Sequence, residues 1–279
     1  MFHALVAVKQ VPDTANIRID PETGNLIRQG VPTITNPYDA HALAAAVEWK
    51  KKLGGKVTVI SMGPLAVIST IRECIEMGAD RGILVSARQF AGADTLATSY
   101  VLATIIQYIH EQDPVSVVMF GKQAIDGDTA QVGPGVSVRL GFPLVTYAVK
   151  IHEINMEENY MMVERKTEMW NEVIKLPLPA GITCEKEIAS LPYAPLPDLV
   201  YSLKYEPEVW TAEAPIAFPL DKIGLRGSPT MVFRTTQPEK HIPGEQIKIT
   251  EVGVGTAVKS IFQKIDASGV LKTVIGGAA

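Results

Sequence analysis

The segment Gly121 to Pro134, GKQAIDGDTAQVGP, gathers the residue types of an anion site. It follows Val115 to Phe120, an apolar run with the length and β-branched content of a buried strand. Glycines then fall at Gly121, Gly127 and Gly133, with few bulky residues between them. Small residues at a strand's carboxyl end let a phosphate approach the backbone, and a following helix points free N–H groups at its charge. The spacing predicts an anion or nucleotide site. It is not a P-loop, because Lys122 directly follows Gly121 and no Gly-Lys-Ser/Thr comes after the glycines. Asp128 and Gln131 stand at the spacing of a capping pair, with Thr129 and Ala130 supplying unpaired N–H groups in the first turn. Pro134 would then remove a backbone bond inside the helix, so the first turn is irregular or the regular helix begins later. Asp126 and Asp128 are poor neighbours for a phosphate unless they cap, face solvent or hold a ribose hydroxyl.

Asn36-Pro37-Tyr38-Asp39 is a second candidate. Asn36 can cap a helix with Pro37 at its first position, which by itself explains both residues. The same helix start also lies near the carboxyl edge of the first strand, facing the glycine segment across a crevice. There Tyr38 can stack or hydrogen-bond, and Asp39 can hold a hydroxyl. Met62 ends the second strand at the same edge and can line an adenine pocket or fill core. Lys9 leaves the first strand there and is a reasonable phosphate partner. No nucleophile stands beside a base, so no residue is read as catalytic.

The elements that must position these residues alternate in period. Ala4 to Val8, Val57 to Ser61, Gly82 to Val85 and Val115 to Phe120 are short apolar runs. Between them, Pro37 to Leu53, Pro64 to Met77 and Asp94 to His110 carry apolar residues at helical spacing. This alternation predicts an α/β fold: a doubly wound, mostly parallel, Rossmann-like sheet covered on both faces. Lys9 to Thr35 is a long excursion, with Ile17-Arg18-Ile19 and Leu26-Ile27-Arg28 flanking a turn, and reads as a projecting hairpin. After Gly141, Leu144 to Ile151, Tyr160 to Lys166 and Met169 to Lys175 read as antiparallel additions, and Gly181 to Cys184 as a further strand. From Ser190 prolines recur, accompanied by Trp210, Ile216, Phe218, Leu220 and Phe233. The expected organisation is a nucleotide-binding domain over residues 1–189. Residues 190–279 then form an extended C-terminal arm that closes with a helix and covers another protein.

Composition narrows the classes. The net charge of −4 without a basic run argues against nucleic acid. The two cysteines, Cys74 and Cys184, and the scattered histidines lack metal-ligand spacing. The chain opens on a strand-like run with no basic start, and no apolar stretch approaches a membrane span, so the expectation is a cytoplasmic protein with no direct membrane insertion. If it reaches a membrane, partner subunits take it there.

With the glycine segment in place, the chain resembles the β subunit of electron transfer flavoproteins. LVAVKQVPDT, NPYD, MGADRGI, GKQAIDGDTAQVGP and Tyr193-Ala194-Pro195-Leu196-Pro197 occur in family order, over about Met1 to Tyr205. The resemblance implies a heterodimer with an α subunit that carries an electron-transferring FAD. It implies AMP in the β-subunit crevice of simple carriers and a second FAD there in bifurcating members. By that resemblance the nucleotide is lined by Ala7, by Asn36, Pro37, Tyr38 and Asp39, and by Met62. The segment Gly121, Lys122, Gln123, Ala124, Ile125, Asp126, Gly127, Asp128, Thr129, Ala130, Gln131 and Val132 completes the lining. Lys9 is added on physical grounds. By the resemblance Leu196 corresponds to the leucine that, in simple members, docks into a partner dehydrogenase, although here Pro192 replaces the basic residue usual there and the following lysine-rich stretch is mostly absent.

The hairpin, the Gly127-Asp128-Thr129 wording and the GLRGSPT segment from Gly224 to Thr230 resemble the bifurcating branch. That branch implies hydride transfer from NADH to the β-subunit FAD. One electron then goes through the α-subunit FAD to a higher-potential acceptor such as a dehydrogenase or quinone oxidoreductase, and the other to ferredoxin. A simple carrier holding structural AMP is the alternative within the family. A non-redox, nucleotide-binding regulatory module is the alternative of another class.

Overall fold

The computed structural model describes residues 1–13, 32–231 and 244–269. β1 (Phe2–Ala7) is buried on both faces and sends alternate side chains into two cores: Ala4 and Val6 into one, Leu5 into the other. β2 (Gln10–Pro12) pairs antiparallel with β3 (Thr33–Thr35), forming the base of the expected hairpin. Its arms at 17–19 and 26–28 lie outside the described residues. α1 (Pro37–Leu53) starts at Pro37 and carries Lys50, Lys51 and Lys52 in its last turn, where cations meet the helix dipole.

β4 (Gly55–Met62) leads through a 3₁₀ turn at Leu65–Val67 into α2 (Ile68–Glu76). β5 (Arg81–Val85) precedes α3 (Thr95–Gln112), which Asp94 caps by accepting from the N–H groups of Leu96 and Ala97. β6 (Val117–Gly121) is followed by the glycine segment and α4 (Val132–Leu140). β7 (Leu144–Asn155), β8 (Tyr160–Lys166) and β9 (Asn171–Pro177) run antiparallel to one another. β10 (Ala180–Cys184) returns to lie parallel between β6 and β7. After α5 (Leu196–Lys204), β11 (Glu208–Trp210) adds in parallel to β5.

The resulting sheet has nine strands in the order β11-β5-β4-β1-β6-β10-β7-β8-β9. It is doubly wound and mostly parallel, with β8 and β9 as the antiparallel addition. Leu43 and Val47 of α1, with Ile71 and Ile75 of α2, cover one face. Val101, Ile105 and Ile109 of α3 cover the other, joined by Val136 of α4. The chain steps from β1 outward to β4 and β5, then crosses to β6 on β1's other side. The switch point of this sheet therefore lies between the carboxyl ends of β1 and β6, where open α/β sheets bind ligands.

Two compact units divide the chain, residues 1–231 and 232–279. The expected arm thus begins on the domain itself. β11 covers what would otherwise be a bare edge at β5. Trp210, Phe218 and Ile223 are buried in the core beside α3, with Phe218 set edge-on to Phe90 and Trp210 edge-on to Tyr108. Burying these apolar groups outweighs the extended bias of the surrounding prolines. Leu220 stays exposed, and Phe233 lies outside the described residues. The described part of the second unit consists of α6 (Ile249–Val252) and α7 (Val254–Ala267). Among the described residues no helix is long and apolar enough to cross a membrane, and no cluster of potential metal ligands occurs.

Candidate functional site

The glycine segment divides into two halves at the switch point. Its first half is tied to the start of α1. Asn36 is fully buried and makes no side-chain cap, contrary to the capping expectation. Its Nδ2 instead donates to the Gln123 carbonyl at 2.9 Å, and its Oδ1 accepts from the Ile125 N–H at 3.2 Å. Asp39 lies deeper. Its Oδ2 accepts from the Lys9 N–H at 2.8 Å and its Oδ1 from the Gly121 N–H at 3.0 Å. Burial pushes this carboxyl up to about 7, against the opposing hydrogen bonds from Asn36, Lys9 and Gly121. Both Asp39 oxygens thus accept from the backbone, one at the exit of β1 and one at the end of β6. The approach is close enough to demand glycine at Gly121, where a Cβ would meet Asp39 Oδ1 at 2.3 Å and Tyr38 Cβ at 2.6 Å.

The two awkward acids of the segment also have partners. Lys9 Nζ donates to both oxygens of Asp126, at 2.8 and 2.7 Å. Asp128 Oδ1 accepts from Gln123 Nε2 at 2.7 Å. Asp128 therefore does not cap α4, which begins at Val132 with Gln131 as its uncapped preceding residue. The later start places Pro134 in the first turn, where an N–H has no intrahelical acceptor and its loss costs nothing. Gln131 instead accepts from the Thr95 hydroxyl at 2.9 Å.

The second half of the segment is open. Gly127, Asp128 and Thr129 are exposed, and a Cβ at Gly127 would meet nothing within 4 Å. Asp128 and Ala130 hold left-handed backbone at φ 50° and 53°, a strain of roughly 1 kcal/mol each for non-glycine residues. Left-handed Ala130 is followed by right-handed Gln131. Opposite hands at successive residues turn consecutive N–H groups toward one concave side, an anion-binding nest. Among the described residues, the N–H groups of Thr129 and Ala130 have no acceptor. Those of Val132 and Gly133 begin α4 without intrahelical partners. Ala7, Met62 and Val132 are half-buried against the core face that carries α3 and α4. An anionic group such as a phosphate fits this donor set.

The structure thus separates the expected site residues. Lys9, Asn36 and Asp39 tie Gly121 through Asp126 to the end of β1 and the start of α1, whereas Gly127, Asp128, Thr129 and Gln131 are exposed. Pro37 opens α1. Tyr38 lies under two ammonium groups, those of Lys186 at 5.0 Å and Lys122 at 5.9 Å from its ring centre. Leu196 stands apart, exposed on α5 beside an open groove of about 760 Å³ that includes Val200, Tyr201 and Tyr205.

Two neighbours, Glu185 and Tyr147, escaped the sequence reading. Glu185 pairs with Lys122 at 2.9 Å and holds that ammonium above its ordinary range. Tyr147 faces the same ammonium at 5.2 Å and has a left-handed φ of 58°. Asp94 accepts at 2.8 Å from the Thr230 hydroxyl, joining the GLRGSPT segment to the start of α3. Nothing local marks Glu185 or Tyr147, whose positions depend on where β10 enters the sheet.

Fold and crevice define a Rossmann-like, doubly wound α/β protein with an anion-receptive loop at its switch point. A family model described as the electron transfer flavoprotein domain matches residues 23–200. Protein FixA of Azotobacter vinelandii is 44% identical over 238 residues, covering 85% of each chain. A chain named electron transfer flavoprotein subunit beta, from Thermoanaerobacterium thermosaccharolyticum, is 40% identical over 97% of this chain and 100% of its own. Subunit CarD of the caffeyl-CoA reductase–Etf complex of Acetobacterium woodii is 42% identical over 93% of this chain and 98% of its own. The chain belongs to the electron transfer flavoprotein family, on its β-subunit side.

Proposed function

We propose that this chain is the β subunit of an electron-bifurcating flavoprotein complex, with FAD in the switch-point crevice and NADH as the electron donor. The observation that carries the nucleotide part of this reading is the open half of the glycine segment, with unpartnered N–H groups at Thr129 and Ala130 and free space for a Cβ at Gly127. Bound FAD would supply the hydride acceptance and one-electron chemistry that these side chains lack. The chain's own task is positional. The backbone of Thr129 to Gly133 binds the diphosphate, Ala7 and Met62 pack the adenine, and Asn36 and Asp39 hold the loop in register. Lys9 offsets the charge of Asp126, and Asp128 has one oxygen held by the Gln123 amide.

The wording of GLRGSPT and of Gly127-Asp128-Thr129 supports the bifurcating branch. Under this reading electrons leave to ferredoxin and, through the α subunit's FAD, to a dehydrogenase or quinone oxidoreductase. The name of the CarD relative supports an acyl-CoA redox partner on the high-potential side. For the α subunit, the supporting surface is α7, which exposes Val254, Val258, Ile261 and Phe262 at helical spacing. Leu196 and its neighbours on α5 form the surface for a redox partner. The complex works in the cytoplasm and meets a membrane only through partner subunits.

Co-purification with the α subunit followed by nucleotide extraction tests the reading. Two FAD per heterodimer support it. One FAD with AMP assigns the simple carrier, and absence of flavin assigns a non-redox nucleotide module.

A further inference from the structure

Three links join the β1–α1 side of the crevice to the β6–α4 loop, and they differ sharply in burial. Asp39, 7% exposed, links Lys9 N–H to Gly121 N–H at the floor. Asn36, 0% exposed, links to Gln123 and Ile125 above it. The outermost link is the ion pair of Lys9 and Asp126, whose side chains are 50% and 29% exposed. Lys9 serves at both ends of this stack, its N–H at the floor and its ammonium at the rim. After Asp126 the N–H groups of Gly127 and Asp128 turn back onto the Ala124 carbonyl, at 3.3 and 2.9 Å, and among the described residues the unpartnered N–H groups of Thr129 and Ala130 follow. The rim link is therefore the most exposed of the ties that precede the part of the loop that faces an anion. Being the most solvated, it is also the first to open.

We propose that the Lys9–Asp126 pair is a strap that sets the rate of nucleotide exchange, and that Lys9 is a positioning residue with no phosphate contact. This rests on the crevice being the nucleotide site. The ammonium commits two of its three N–H groups to the Asp126 carboxylate, so it is held on the loop's own acid and its charge is offset there. Breaking the strap lets the segment from Gly127 swing away from the buried links, and the bound group leaves sooner. An exposed pair of this kind shifts such an equilibrium by about two- to fivefold.

The test uses the purified complex with the α subunit and its endogenous nucleotide, chased with excess AMP or FAD and followed by chromatography. Lys9→Met and Asp126→Asn should each speed release about two- to fivefold, and the double variant should be no faster than either. The charge swap Lys9→Asp with Asp126→Lys should return the rate toward that of the unmodified chain. The differences should shrink near about 0.5 M salt, where exposed pairs are screened. If Lys9 instead holds a phosphate, Lys9→Met loosens the nucleotide while Asp126→Asn tightens it, and the proposal falls. Unchanged rates in both variants overturn it as well. A complex that yields no nucleotide on extraction contradicts the site assignment itself, a result separate from any change in rate.

Discussion

Asp39 Oδ1 accepts from the Gly121 N–H at 3.0 Å, so the first turn of α1 holds the end of β6 across the switch point. The other oxygen of the same carboxyl accepts from the N–H at the exit of β1. Asp39→Asn leaves one acceptor for two buried donors. It should lower stability by about 1–3 kcal/mol, read as the shift in a urea unfolding curve with an unchanged slope.

The same carboxyl makes stability depend on pH in a set direction. Burial raises it from an ordinary 3.8 to about 7 in the folded chain. Between these values the unfolded chain has lost its proton while the folded chain keeps it. The Asp39 contribution is thus present below the unfolded value and declines as pH rises toward about 7. The destabilisation caused by Asp39→Asn should accordingly be larger at pH 5 than at pH 8. Unfolding curves of both proteins at the two pH values check the sign.

Gly121 and Gly127 should respond oppositely to substitution. A Cβ at Gly121 meets three atoms under 3.0 Å, two of them on Asp39, whereas one at Gly127 enters open space. Gly121→Ala should cost about 1–3 kcal/mol in folding. Gly127→Val should change stability by less than about 1 kcal/mol and still reduce nucleotide retention, because its branches occupy the path of an approaching diphosphate. Thermal unfolding alongside extracted nucleotide per chain separates the two effects.

Asn36→Ala removes the buried links to Gln123 and Ile125 but no helix cap, since Asn36 makes none. α1 should keep its helicity by circular dichroism. The unpaired Gln123 carbonyl and Ile125 N–H should cost about 1–3 kcal/mol, and nucleotide retention should fall in parallel.

Truncation distinguishes the folded part of the tail from the second unit. A chain ending after Met231 keeps β11, Trp210, Phe218 and Ile223 and should remain soluble while losing much of its hold on the α subunit. A chain ending after Ser190 uncovers β5 and the α3 face and should aggregate. Expression yield and co-purification with the α subunit measure both outcomes.

Much of the fold was legible because local periodicity carries it. The bounds of α1 follow from Pro37 at its start and Gly54 beyond its end, and the apolar runs marking β1, β4, β5 and β6 are what two covered faces require. The tail was misread at Trp210 and Phe218 because a proline-rich apolar stretch looks the same whether it covers its own domain or a partner. Insertion of β10 between β6 and β7 left no local trace, since a short buried strand has the same pattern in any slot of a sheet. Glu185 and Tyr147, which reach Lys122 only through that insertion, were missed with it.

The amino-acid sequence alone determined that a glycine segment at a strand's carboxyl end faces the NPYD helix start in a doubly wound sheet. Residue type and spacing suffice for that, because backbone conformation and period are local properties. Only the tertiary structure decided which residues of the segment are committed. Asp39, Asn36 and Lys9 come from distant positions to satisfy its first half, and a hydrogen bond across more than eighty residues leaves no mark on spacing. Among the described residues, the N–H groups left unsatisfied at Thr129, Ala130, Val132 and Gly133 are the donors free to meet a ligand.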